Sequence, residues 1–120
     1  RSGRLAPART REAIDAIHRT ALAQAQLTND LVDVSRAVSG KFRLRPEEVD
    51  VASVVRDTTE TFRLAAESKG LQLTCEVSPN VPRIVADPDR LRQIVYNLVG
   101  NAVKFTATGA VDVLACGDPD

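Results

Sequence analysis

Two asparagines one helical turn apart, Asn97 and Asn101, sit inside an apolar run and are followed by Lys104 and Phe105. Asparagine is a poor helix former because its side chain competes for the backbone hydrogen bonds that make a helix. At about 100° per residue, Arg90, Gln93, Asn97, Asn101 and Lys104 fall on one narrow stripe. Leu91, Ile94, Val95, Leu98, Val99, Ala102 and Phe105 form an apolar face beside it, so the stripe borders the buried side and can line the edge of a pocket. Amide oxygens ligate hard cations such as magnesium, and a lysine one turn on reaches phosphates. The competing explanation is a solvated helix face. Glu, Lys and Arg usually fill such faces, however, and paired asparagines add nothing there. The start of the helix is sharply marked: Asp87 can cap it, Pro88 suits its first position, and Asp89 complements its dipole.

The elements that must position these residues follow from the pattern. Residues 1–7 are a short polar lead. From about Ala8 to Val38 no Gly or Pro interrupts, which predicts one long helix. Ile14, Ile17, Ala21, Ala25, Thr28, Leu31 and Val38 approximate a heptad seam, with further apolar cover from Leu22, Leu27, Val32 and Val34. Small and polar seam positions make a two-stranded coil weak, and a four-helix bundle fits the wider coverage better. Gly40 ends this helix. Beyond Pro46, Val49 and Val51 read as a short strand leading into a helix from about Ala52 to Lys69, with Asp50 or Ser53 near its start. Val51, Val54, Val55, Thr58, Phe62, Ala65 and Ala66 recur at helical spacing, and Gly70 stops the helix. Leu71, Leu73, Cys75 and Val77 alternate with Gln72, Thr74 and Glu76 as in a one-sided strand. Ser78 to Pro82 is a turn, Ile84 to Ala86 a short strand, and Gly109 opens a strand from Ala110 to about Ala115. Two amphipathic helices beside one-sided strands give part of a two-layer α/β sandwich, and the fold class is α+β.

Composition bounds the function. The 120 residues carry 16 Lys+Arg and 16 Asp+Glu, so no electrostatic case exists for nucleic acid or an anionic membrane. The aromatic share of 3% also argues against base stacking. No apolar run approaches a membrane span, and no signal peptide is visible. Cys75 and Cys116 lack metal-ligand spacing, and two cysteines make no disulfide framework. Cys75 shares a face with apolar residues and reads as an inert buried thiol.

The segment Asn97-Leu98-Val99-Gly100-Asn101-Ala102-Val103-Lys104-Phe105 resembles the N box of sensor histidine kinases, within the GHKL ATPase superfamily. Asn29-Asp30-Leu31-Val32-Asp33-Val34-Ser35-Arg36, followed by Ser39-Gly40-Lys41-Phe42-Arg43-Leu44, resembles the end of the second helix of their dimerisation hairpin. Pro46-Glu47-Glu48-Val49-Asp50-Val51 resembles the lead into their ATP-binding domain. The matches stand in the family's order and cover nearly the whole chain. The resemblance implies residues 1–45 as a dimerisation region and 46–120 as the N-terminal part of the ATP-binding domain. It further implies ATP and Mg2+ as cofactors, autophosphorylation on histidine, and phosphoryl transfer to the receiver domain of a response regulator. Asn101 would ligate magnesium, Asn97 would orient a water or the attacking group, Lys104 would contact phosphate, and Phe105 would flank the nucleotide. Arg90 and Gln93 are expected to be structural or solvated. The partner would be a second copy, through the helix of residues 8–38, in the cytoplasmic portion of a membrane-anchored bacterial sensor.

Departures from the family pattern set a limit. Its phosphoacceptor lies in a His-Glu-x-x-Thr-Pro motif, whereas the one histidine here, His18, is followed by Arg19-Thr20-Ala21. His18 reads as a surface or packing residue of the second helix. The chain is expected to start near the hairpin turn and to stop before the family's Asp-x-Gly-x-Gly segments, which Asp118-Pro119-Asp120 does not match. On that expectation this chain alone is inactive. Two other readings compete: a GHKL serine kinase acting on an anti-sigma-type partner, which would lack the long helix, and a non-enzymatic dimerisation and docking module.

Overall fold

The computed structural model describes residues 7–118, which divide between Arg43 and Leu44 into two compact units. The polar lead read from sequence lies outside the described residues except for Pro7, as do Pro119 and Asp120.

The first unit is a single helix, α1, Pro7–Val38. None of its residues is buried, and Ile14, Ile17, Leu22, Leu27, Leu31, Val34 and Val38 all stand exposed. Its own hydrogen bonds are local: the Gln26 amide nitrogen donates to Asp30 Oδ1 at 2.9 Å, and the Thr20 hydroxyl donates back to the Ala16 carbonyl. A left-handed turn at Gly40, φ 74°, ends the helix. There the Lys41 and Phe42 amides both reach the Arg36 carbonyl.

The second unit alternates strand and helix: β1 (Glu47–Asp50), α2 (Val51–Thr61), α3 (Arg63–Ser68), β2 (Gln72–Val77), β3 (Arg83–Ala86), α4 (Pro88–Phe105) and β4 (Ala110–Ala115). β1 and β3 pair antiparallel, with Val49 opposite Ile84. β2 and β4 pair in parallel, Leu73 opposite Val111 and Thr74 opposite Asp112, with α4 in the crossover between them. Buried Ala66, Leu71, Leu73, Val103 and Val111 form the core, and Phe62, Ala102 and Val113 pack against it. Among the described residues no helix is long and apolar enough to cross a membrane.

Two features differ from the sequence reading. Val51 begins α2 rather than ending a strand, because Asp50 is the N-cap and accepts from the Ser53 hydroxyl at 3.0 Å. The helix expected over residues 52–69 breaks at Phe62, which joins α2 to α3 with φ −96° and ψ 3°. The break lets the Phe62 ring turn inward while Ala66, one turn later, still reaches the core. Beyond it, Arg63 Nη1 donates to the Leu73 carbonyl at 2.6 Å while Nε is held by Glu60. A carbonyl on the edge of β2 is thereby taken, which blunts that edge against further strands.

Candidate functional site

All the candidate residues lie on α4, and contacts along its length fix where they stand. At the start, Asp87 Oδ1 accepts from the Asp89 and Arg90 amides at 3.0 and 3.2 Å. Its Oδ2 accepts from the Arg45 amide at 2.9 Å. One carboxylate thus caps the helix and pins the segment that leads into β1. Those hydrogen bonds, Arg45's first, hold the Asp87 carboxyl below the ordinary value of 3.8.

Midway, Gly100 allows a close approach. A Cβ there would stand 2.9 Å from the tip of the Phe62 ring. Phe62 also packs on Tyr96, with ring centroids 4.8 Å apart and planes tilted by 53°. The contact sets α4 against the α2–α3 corner. At the far end, the Lys69 ammonium donates to the Val103 and Lys104 carbonyls at 2.7 and 2.9 Å. These are carbonyls of the last turn, which have no partner within the helix.

The burial of α4 is narrower than its apolar pattern. Val99 and Val103 are 4% and 3% exposed, whereas Ile94, Leu98 and Phe105, assigned by sequence to the same apolar face, are 56%, 66% and 75% exposed. The helix turns its Val99–Val103 side to α2 and β4. The exposed apolar ridge therefore lies between the buried side and the polar stripe. Asn97, Asn101 and Lys104 are exposed along that stripe. Neither asparagine side chain has a hydrogen-bond partner among the described residues. Lys104 Nζ lies 5.3 Å from the centroid of the Phe105 ring, so the two chemically distinct groups of the last turn stand together. Arg90 and Gln93, nearer the start, are half-buried, and Arg90 Nη1 donates to Gln93 Oε1 at 2.8 Å.

Among the described residues no three His, Cys, Asp or Glu side chains gather as a metal site. A magnesium ion does not require one. It is commonly held by one or two protein oxygens, with phosphates and water completing the octahedron, and the exposed Asn101 amide suits that donor set. His18 is exposed on α1, Cys75 is half-buried on β2, and Cys116 is exposed beyond β4.

The sequence reading placed Lys69 at a helix end and gave it no role. The signal was a basic residue immediately before a helix-stopping glycine, which favours capping of nearby carbonyls. The carbonyls it caps lie 34 and 35 residues away, and local pattern does not reveal them.

Comparison with known proteins gives a consistent picture. Over 96 residues the chain is 38% identical to Two-component system protein A of Emericella nidulans, covering 79% of this chain and 14% of that protein. Over 105 residues it is 35% identical to the signal transduction histidine-protein kinase BarA of Escherichia coli, covering 87% of this chain and 11% of BarA. The chain therefore spans about one-seventh or less of these relatives. Among solved structures, full-length ShkA in complex with AMPPNP superposes with a TM-score of 0.74 at 33% identity, over 91% of this chain and 24% of that one. No protein-family model matches the sequence.

Proposed function

The chain belongs with the two-component sensor histidine kinases, and we propose from that premise that it supplies one wall of their nucleotide site together with the second dimerisation helix. In this reading residues 1–45 form part of the dimerisation region and residues 46–120 the N-terminal part of the ATP-binding domain. The protein that carries them transfers phosphate from ATP to a histidine and then to a response regulator. It does so as a homodimer through α1, on the cytoplasmic side of the membrane.

The observation that carries this reading is the pair of exposed, unpartnered amides of Asn97 and Asn101, in line with Lys104 on a helix held at its start, middle and end. Phosphoryl transfer requires of a protein chiefly positioning and neutralisation of charge. Magnesium, when bound with ATP, neutralises phosphate charge. Asn101 offers it an amide oxygen, and Asn97, one turn earlier, orients a water or the attacking group beside it. Lys104 meets phosphate as a point charge, and the exposed Phe105 ring offers an apolar surface to the nucleotide. The firm seating of α4 means that little ordering remains to be done when nucleotide arrives.

The test is made in the full-length protein. Asn101→Ala is expected to slow autophosphorylation by about a hundredfold or more, as loss of a group stabilising transition-state charge commonly does. The melting temperature should hold, since alanine is the better helix former. Arg92→Ala, on the other side of α4 in an exposed pair with Asp89, should change little. Normal phosphorylation by the Asn101→Ala protein would reduce the stripe to a solvated face.

A further inference from the structure

We infer that Lys69 is a positioning residue for the nucleotide site, acting through the last turn of α4; this inference rests on the reading of Asn97, Asn101 and Lys104 proposed above. Lys69 comes from a well-fixed corner. Its own amide donates to the Ala66 carbonyl at 3.1 Å, the Gly70 amide to Glu67 at 2.9 Å, and the Leu71 amide to Ala66 at 2.9 Å. Ala66 and Leu71 are both in the core, and Gly70 takes the left-handed conformation, φ 71°, that the tight exit into β2 requires. From this corner the ammonium places two of its three donors on the Val103 and Lys104 carbonyls. A surface lysine retained for solubility would leave its head in water.

Two physical effects follow. The final turn of a helix frays when its carbonyls are unpartnered, and Lys104 and Phe105 both belong to that turn. Clamping their backbone narrows the range of positions their side chains reach. The second effect is electrostatic. The C-terminus of a helix carries partial negative charge, a poor setting for a lysine that must receive phosphate. The Lys69 cation, set directly on those carbonyls, offsets that pole beside Lys104.

The experiment uses the full-length protein and titrates magnesium-ATP by displacement of a fluorescent ATP analogue. The variants are Lys69→Met, Lys69→Gln, Lys69→Arg, Lys104→Ala and the Lys69→Met/Lys104→Ala double. Lys69→Met is expected to raise the dissociation constant about three- to tenfold, the scale of one helix-terminus charge contact. Lys69→Arg, which keeps cation and donors, should recover most of the affinity, and Lys69→Gln part of it. In the double variant the Lys69 change should add little beyond Lys104→Ala, because its effect passes through that turn. Amide hydrogen exchange over residues 101–106 should accelerate in Lys69→Met. If Lys104→Ala weakens binding while neither Lys69→Met nor Lys69→Gln does, Lys69 is a structural cap only and the inference is overturned. Should Lys104→Ala bind as well as the parent, the reading of the whole stripe fails, and the role of Lys69 falls with it. A lowered melting temperature with unchanged affinity also counts against positioning.

Discussion

Two aspartates link acidity to stability in residues 44–118, and both stand at helix starts. Asp50 is held below the ordinary carboxyl value of 3.8, chiefly by the Ser53 hydroxyl, and Asp87 likewise, chiefly by the Arg45 amide. Because both folded values are lowered, the unfolded chain binds more protons in the acid range. Their stabilisation is therefore complete above about pH 5 and lost as pH falls through 4 toward the folded values. Melting curves at neutral pH and near pH 3 should show the drop. Asp87→Ala should lower the melting temperature at neutral pH and flatten its acid dependence, since the Arg45, Asp89 and Arg90 amides lose their shared acceptor. An unchanged acid increment in that variant would remove Asp87 from the account. The cap itself was legible in the sequence, because Asp87-Pro88-Asp89 is a local signal. The bond to Arg45 was not, because 42 residues separate its ends and no periodicity records such a pairing.

At the scale of elements, α1 and α4 differ in what their neighbours explain. The sequence shows α1 as an uninterrupted helix, and the structure has it from Pro7 to Val38. Its apolar residues stay exposed, an unusual amount of oily surface for an isolated helix. The proposed homodimer would cover it. Leu31→Lys places a charge where the seam would close, and should weaken self-association by about a hundredfold or more. Sedimentation across a concentration series checks this, and a parent chain that stays monomeric at high concentration would refute the dimer outright. The Phe62 break was less legible. Val51, Val54, Val55, Thr58, Phe62 and Ala66 keep a helical period across it, so the pattern alone suggests continuity. The period also passed over Thr59, which is 1% exposed because its hydroxyl turns back to the Val55 carbonyl at 2.7 Å and leaves its methyl to the core. On α4 the apolar pattern was correctly found, yet it spans more of the helix than α2 and β4 cover. Which part is buried depends on tertiary packing that periodicity does not carry.

For the whole molecule, the same contrast of local and distant governs activity. The chain holds the paired asparagines and Lys104 but no His-Glu-x-x-Thr-Pro acceptor motif and no Asp-x-Gly-x-Gly segment. Alone, it should neither phosphorylate itself nor hydrolyse ATP. Incubation with radiolabelled ATP should leave the protein unlabelled, and label on His18 would contradict the assignment of that residue. The strand register was likewise beyond local reading, although each strand was found close to its place. β2 and β4 bond in parallel across a separation of 38 residues, marked by the Thr74 hydroxyl donating to Asp112 at 2.6 Å. Everything between them, α4 included, belongs to the crossover. A pairing this distant must close a large loop before any contact rewards it, so β4 should join late in folding, after the α2–α3 corner and α4 have met. During synthesis α4 would leave the ribosome before the strand that completes its seating. Until Ala115 emerges, the stripe of Asn97, Asn101 and Lys104 proposed above to meet nucleotide rides on an unfinished foldon, and its time of exposure is set by the pace of translation.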